Sequence, residues 1–513
     1  MDSNPNGKAS RSESIRSCGA DVKANDGIKN EEVGVTTVSS NLEDDPEKLR
    51  QLVRKIDRCL LPFMMITEML HNIDATSLGY AAVWGMREDL HLSTDMYTWV
   101  SSMLFFGYMI CKWPMGLVAQ HWHTGRVVGA VVTAWGLCMM SAVLCSNFGG
   151  FATQRFFLGA LQSVINPAWV LMTSIFYKRD EQAFRIVFWW SMNGVSLAVG
   201  GMLSFGCGYI QVADIPSWKW IYIIDGLLTF IWGLVVFLYV PTSPQTAKWL
   251  TPAERIMAVN RLASNKTGTK NSTIKMYQII EALDPRKDPQ GLMLFLLIFF
   301  NEFVNGGFSA FFAPNLAALG YSQLVTSLLG IPVGAAQVFW MVGAAAFTLK
   351  FKNVRILMAM LSLIPAFIGF LLQIAIADGQ GKVAKTVGVC LSLGYCATCA
   401  LSFQLPAQNA GGFTKRTTMT SIAFLGYSLG NIIGPHVFYE GQTPKYLTGY
   451  TVDLVCFWIQ ALLLWTLRWW YIRENRRRDE AYGPPQAEPD DAVTDLTDRE
   501  NPNFRYEECW SGE

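Results

Sequence analysis

Three ionisable side chains fall within one apolar stretch, LLPFMMITEMLHNIDATSLGYAA, at residues 60–82. They are Glu68, His71 and Asp74, and the stretch is close to the roughly 20 residues that cross a bilayer. A charged side chain at the bilayer centre costs about 2.5 to 3.5 kcal/mol on insertion scales. Such groups therefore mark a polar pathway, a proton relay or a pairing between helices. Glu68 and Asp74 are six residues apart, about 600° of helical rotation, so they do not share one stripe, whereas His71 is three from each and bridges their faces. Two acids and an imidazole at these spacings could carry protons or bind a small polar molecule, or they could simply hold a bundle together.

The elements that would position them are apolar blocks. Of 513 residues 51% are hydrophobic and 16% charged, and mean hydropathy is +0.24; soluble chains carry about 25% charged residues. Twelve blocks near membrane length occur at 60–82, 97–119, 126–146, 150–172, 185–208, 218–240, 292–313, 323–347, 354–376, 384–406, 417–438 and 449–472. The reading is an all-α membrane protein of twelve transmembrane helices in two groups of six. The expected domains are a disordered cytosolic tail at 1–48, a six-helix bundle at 49–240, a cytosolic linker at 241–290, a second bundle at 291–473, and a cytosolic tail at 474–513. Neither tail reads as a cleavable signal or a lipidation motif. Thr251, Pro252 and Glu254 give a capped helix start within the linker.

Lys and Arg crowd the loops on the side of the two termini, for example Lys178, Arg179, Arg185, Lys350, Arg355, Lys415 and Arg416. The positive-inside rule then places both termini in the cytosol. The glycosylation sequons at Asn265 and Asn271 lie in the cytosolic linker and are expected to stay bare. A net charge of +1 says nothing about nucleic acid, and with no basic patch interleaved with aromatic residues no nucleic-acid partner is expected. The CxxC at Cys396 and Cys399 lies inside a predicted span without a second pair, so neither metal nor redox chemistry is expected. The fifth span, NGVSLAVGG, and the eleventh, GYSLGNIIGP, are both glycine-rich and suited to close, sliding packing. Two groups of six with such echoes match the repeat architecture whose substrate site lies near the midplane.

More specific runs follow the same order: RFFLG at 155–159, FYKRDEQAFR at 176–185, WKWIYIIDGLLT at 218–229, VPTSPQTAKWLTPAER at 240–255, ALDPRKD at 282–288 and NAGGFTKR at 409–416. Through them the chain resembles the fungal allantoate permease group, the anion:cation symporter branch of the major facilitator superfamily. The resemblance implies proton-coupled uptake of a small carboxylate-bearing metabolite across the plasma membrane by a monomer, with the proton gradient in place of a cofactor. Three positions depart from the family pattern. Asp74-Ala75-Thr76-Ser77-Leu78-Gly79 keeps the Asp of Asp-Arg-x-Asn-Ile-Gly but lacks its Arg and Asn. Lys112-Trp113-Pro114 stands where Glu usually precedes x-Pro, and Gln162 where Glu usually follows Arg-x-x-x-Gly.

Helix rise of about 1.5 Å per residue converts position into depth. Glu68 and Lys112 lie at similar depth on antiparallel spans and are expected to form a structural ion pair, since an unpaired buried charge costs about 3 to 5 kcal/mol. Asp74 and Arg155 also match in depth. Arg155 is expected to bind a substrate carboxylate, or to pair with Asp74 in the empty site, so that protonating Asp74 frees the guanidinium. Glu302, in FNEFVNGGF, is a second candidate proton carrier. His71, Asn193, Asn305 and Gln404 are candidate substrate contacts. Arg126, Lys178, Arg179, Asp180, Glu181, Arg185, Glu254 and Arg255 are the expected cytosolic gate, or else solvated loop charge. The chain is therefore read as a secondary transporter and not an enzyme, with an exporter of a fungal secondary metabolite or a non-transporting nutrient receptor as rivals.

Overall fold

The computed structural model describes residues 46–210, 215–263, 275–351, 353–376, 381–439, 441, 446–484 and 495–506. The sequons at Asn265 and Asn271 and nearly all of the amino-terminal tail lie outside the described residues. The described chain is helical, and every one of the twelve apolar blocks is helix.

The first helix, Pro46–Val83, starts with proline, whose missing N–H costs nothing in a first turn, followed by Glu47. At about 1.5 Å per residue its 38 residues reach beyond a hydrocarbon layer about 30 Å thick. Its first turns therefore project past the bundle. The next five spans are Thr94–His121, Thr124–Met140, a fourth in two pieces (Phe148–Gln162 and Ile165–Phe176), a fifth in two pieces (Arg179–Trp190 and Met192–Cys207), and Ser217–Tyr239. The last six are Gln290–Ala318; Gln323–Leu328 with Gly330–Lys350; Arg355–Ala375; Lys382–Ser392 with Gly394–Ser402; Phe413–Ile433; and Leu447–Tyr482. Among the described residues, ten helical segments are apolar and long enough to cross a membrane by length and composition alone. The first span falls short because it carries Glu68, His71 and Asp74, and the eleventh because it opens on Thr-Lys-Arg-Thr-Thr.

Two apolar cores follow the two groups of helices. One centres on Trp135, Trp169 and Trp218, the other on Phe370, Tyr395 and Phe457. Close helix approach within each group depends on glycine. A Cβ on Gly159 would stand 1.8 Å from the Leu104 carbonyl oxygen of the second span. In the fifth span the expected glycine contact does cross between the groups: a Cβ on Gly334 of the eighth span would lie 2.3 Å from the Gly194 oxygen. The eleventh span uses its glycines differently, laying Gly426, Gly430 and Gly434 against the seventh span of its own group.

The carboxyl-terminal segment is more ordered than its composition predicts. Residues 495–506 fold back as a strap on the end of the bundle that carries the termini, hereafter the proximal end. Asp498 is buried 2.6 Å from the Lys415 ammonium, which also meets Asp288 at 2.6 Å and Glu281 at 2.8 Å. Asp498 takes a hydrogen bond from the Tyr506 hydroxyl at 2.6 Å, and the Tyr506 ring stacks on Tyr471 at 4.9 Å. Burial pushes the Asp288 carboxyl above its ordinary range, against the pull of Lys415. Charge pairing plus aromatic burial thus order a stretch that looks solvated in sequence.

Gly159→Ala is expected to lower the melting temperature of the purified protein, since the overpacked backbone contact costs about 1 to 3 kcal/mol. Gly343→Ala, where a Cβ meets nothing within 4 Å, is the control and should leave the melting temperature unchanged or slightly raised.

Candidate functional site

The two groups of helices are joined at the distal end, away from the termini. There the Tyr97 hydroxyl donates to the Ala310 carbonyl at 2.6 Å, and Ser102 donates to the Ile432 carbonyl at 2.7 Å. His436 lies between Ser102 and Thr98 at 3.1 and 3.3 Å, and Ser204 meets Ser327 at 3.0 Å. Below this seal, between the groups, is a cavity lined from both. Breaks in the fourth, fifth and tenth spans, at residues 163–164, 191 and 393, fall beside it. Irregular backbone at membrane depth is tolerated where it lines a cavity.

The wall from the first six helices includes Glu68, His71, Asn72, Gln162, Asn166 and Asn193. Glu68 is 1% exposed; its Oε1 accepts from Asn72 at 3.2 Å and lies 3.8 Å from His71 Nδ1. The wall from the last six includes Asn301, Glu302, Asn305, Gln337, Tyr395 and Cys399. Glu302 is fully partnered: Oε2 accepts from Asn431 at 2.8 Å and Asn305 at 3.1 Å, and Oε1 from the Cys399 thiol at 2.9 Å. The Tyr395 hydroxyl donates to Asn305 at 3.1 Å, and Gln337 donates to Asn193 at 3.2 Å across the two groups. Phe105, Tyr108, Trp190, Phe424 and Tyr427 complete the lining with rings.

Asp74 and Arg155 do meet, at 3.5 Å, but behind the cavity wall and not in it. Asp74 also accepts from Trp135 Nε1 at 2.9 Å and from the Gln162 amide, while Arg155 donates to the Tyr222 hydroxyl. Gln162 therefore touches both the buried pair and the cavity. Arg155 takes the second of its two expected arrangements, the pairing with Asp74, with its side chain 1% exposed inside the first group. Glu68 and Lys112 do not pair. Lys112 turns to the Tyr108 hydroxyl at 3.1 Å and lies 3.1 Å from the centre of the Phe424 ring, because its helix face points at the eleventh span. Gln404 bonds the Ala400 carbonyl at 3.3 Å, capping the broken tenth span without lining the cavity.

The charged residues of the proximal rim tie the linker to the first six helices. Lys55 pairs with Glu254 at 2.7 Å, Arg185 with Asp57 at 2.7 Å, and Glu181 with Arg261. Burial works against ionisation of Glu254, but its bonds from Lys55 and Thr251 prevail and hold its carboxyl below the usual range. Arg255 donates to the Ala247 carbonyl at 3.0 Å, the Lys178 amide donates to Glu181 at 3.2 Å, and Arg126 is exposed. The side chains of Arg179 and Asp180 lie outside the described residues. Among the described side chains, Glu254 and Glu181 tie the linker to the first six helices, Arg185 pairs within that group, and no ion pair of a gate residue bridges the two groups. Asn72, Asn166, Gln337 and Asn431 were not singled out from sequence. Each is an uncharged amide inside an apolar block, which was the available signal.

The sequence model of the Major Facilitator Superfamily matches residues 64–435. The chain belongs to this superfamily. Within it, the chain is 35% identical over 470 residues to an uncharacterized transporter of Schizosaccharomyces pombe, spanning 90% of this chain and 86% of that one. It is 32% identical over 494 residues to the allantoate permease of Saccharomyces cerevisiae, spanning 91% and 88%, so it falls in the allantoate permease-like group. Among solved structures, the D-xylose-proton symporter aligns with TM-score 0.60 at 12% identity over 80% of this chain and 97% of that one. An inward-facing, occupied bacterial homologue of human Spinster aligns with TM-score 0.57 at 15% identity over 79% and 96%. These two likenesses show the fold alone, and it is the superfamily match and the curated relatives that make the chain a transporter and not an enzyme.

Removing one member of a buried ion pair strands the other. Arg155→Gln is expected to destabilise the purified protein by about 3 to 5 kcal/mol. Adding Asp74→Asn should restore most of the loss, as read by thermal unfolding of the single and double variants.

Proposed function

We propose that this member of the superfamily is a secondary active transporter that couples a proton to the movement of a small organic molecule by alternating access. The observation that carries the reading is the shared cavity, sealed distally, with an ionisable group from each half of the bundle in its wall. With the termini in the cytosol, as the positive-inside rule supports, the sealed end is the extracellular one. Rocking of the two groups would break the seal at Tyr97, Ser102 and His436 and close the proximal side.

Coupling runs through Gln162. While Asp74 is ionised it holds Arg155 and the Gln162 amide behind the wall. A proton on Asp74 weakens both attachments and lets the wall repack toward the substrate. Glu302, at the cavity on the opposite half, is a second place where a proton can reside. Uptake at the plasma membrane by a monomer is the arrangement that the resemblance supports, and the proton gradient supplies the energy.

The test uses proteoliposomes holding the full-length chain and a labelled panel of amines, alcohols and carboxylates. An inward gradient of about one pH unit can support about tenfold accumulation per coupled proton. The wild type should show that accumulation with at least one compound. Asp74→Asn should retain counterflow exchange of the same compound but accumulate none above equilibrium. Unchanged accumulation by Asp74→Asn would refute the coupling role, and efflux driven by an outward-loaded substrate against a proton influx would mark an exporter.

A further inference from the structure

A layer of rings lies on the proximal side of the cavity, and it is built from both groups of helices. Trp190 of the fifth span meets Phe403, at the end of the tenth, at 5.3 Å, and Phe403 packs on Phe424 of the eleventh at 5.1 Å. Tyr427, three residues on from Phe424, lies 5.9 Å from Tyr108 of the second span. Between Tyr108 and Phe424 stands Lys112. Its ammonium donates to the Tyr108 hydroxyl at 3.1 Å and sits 3.1 Å from the centre of the Phe424 ring. Trp190, Tyr108, Phe424 and Tyr427 line the cavity, and Phe403 and Lys112 back them. The second span runs toward the proximal end, so Lys112, four residues after Tyr108, lies about 6 Å further that way.

Two of these contacts cross between the groups: Trp190 with Phe403, and Lys112 with Phe424. The layer is a few side chains, so parting it needs side-chain rotation and not the rocking that makes and breaks the distal seal. Lys112 is its weakly held member. An ammonium at bilayer depth is costly unless it is paired, and among the described residues this one meets no carboxylate. Its partners are a hydroxyl and two π-faces, and a cation–π contact is weaker than a charge-assisted hydrogen bond to a carboxylate. The neighbouring charges are engaged elsewhere. Arg155 is paired with Asp74, Glu68 accepts from Asn72, and Glu302 accepts from Asn431, Asn305 and Cys399.

We propose that Lys112 is the anion-sensing pin of a proximal gate: without ligand it holds Phe424 across the two groups, and a carboxylate in the cavity draws the ammonium off that ring. This rests on the transport reading above. The exchange replaces a weak cross-group contact by an ion pair with the bound molecule, so the ligand favours the parted layer through its differential affinity. Little movement is needed, because the ammonium is already one hydrogen bond from a wall group, Tyr108, and its four-carbon stem is flexible. Asn193, Ser309 and Tyr427 supply further N–H and O–H donors to the same anion.

Two measurements on the purified full-length protein test the assignment. In the first, alkylation of the wall thiol of Cys399 is followed by mass spectrometry in wild type, Lys112→Gln, Phe424→Leu and the double variant. Each single change should speed alkylation by about tenfold, the population shift that one lost cross-group contact brings. The double variant should be no faster than the singles, since all three remove the same contact. In the second, melting temperatures are read with matched acids and amides: benzoate and benzamide, phenylacetate and phenylacetamide, succinate and succinamide. The acid of at least one pair should stabilise wild type more than its amide. Lys112→Gln should abolish that gap, and Lys112→Arg, which keeps the charge, should recover much of it. Unchanged alkylation in either single variant, additive rates in the double, acids no better than amides in every pair, or a gap that survives in Lys112→Gln would overturn the assignment. Flux in proteoliposomes separates the two readings. An acid that binds through Lys112 without being carried leaves this inference standing and removes the transport one; an uncharged compound carried alike by wild type and Lys112→Gln does the reverse.

Discussion

A charge inside a hydrocarbon layer has to find its counter-charge in protein, because there is no water to supply one. That constraint organises the first group of helices. Asp74 on the first span, Arg155 on the fourth, Tyr222 on the sixth and Trp135 on the third converge on one point, joining four of the six helices. Gln162 closes the cluster from the cavity side. A second acid at 162 would set two carboxylates against one guanidinium; the amide instead donates to Asp74 and keeps the cluster near neutrality. Among the described residues the last group shows no such ion pair at the equivalent depth. Of its buried acids, Glu302 is held by neutral donors, and Asp453 has no hydrogen-bond partner.

This asymmetry suits a two-state machine. The first group holds a charge pair that one proton can loosen, and the second offers a carboxylate already solvated by amides and a thiol. The cavity between them joins both through short side chains, so a change on either half alters what the other faces. At the distal seal, by contrast, the bonds that cross between groups come from hydroxyls, an imidazole and backbone carbonyls, with no ion pair among them. Neutral hydrogen bonds contribute about 0.5 to 1.5 kcal/mol each, weak enough to be made and broken in every cycle.

Much of the fold was legible because hydropathy marks spans directly, and all twelve apolar blocks became helices. The Asp74–Arg155 contact was legible too, since counting residues along antiparallel helices gives height. Height is only one coordinate, however. Glu68 and Lys112 share a depth but not an azimuth: one faces the cavity, the other the rings of Tyr108 and Phe424. The same missing coordinate hid the fact that Arg155 stands behind the wall. The amides Asn166 and Gln337 were overlooked because a lone Asn or Gln in an apolar run carries no charge to raise suspicion. The docked strap was hidden for another reason: its partners Lys415, Asp288 and Tyr471 are distant in sequence, and nothing local distinguishes Asp498 from its acidic neighbours.

That strap sets an order of events during synthesis. Lys415 is wholly buried, and one of its three carboxylate partners, Asp498, comes from almost the end of the chain. Until residue 498 has cleared the ribosome, the base of the second helix group carries an ammonium with an incomplete cage and an aromatic floor at Tyr471 without its lid, Tyr506. The base of the second helix group therefore gains its full set of contacts only once residues 495–506 have been made and have folded back.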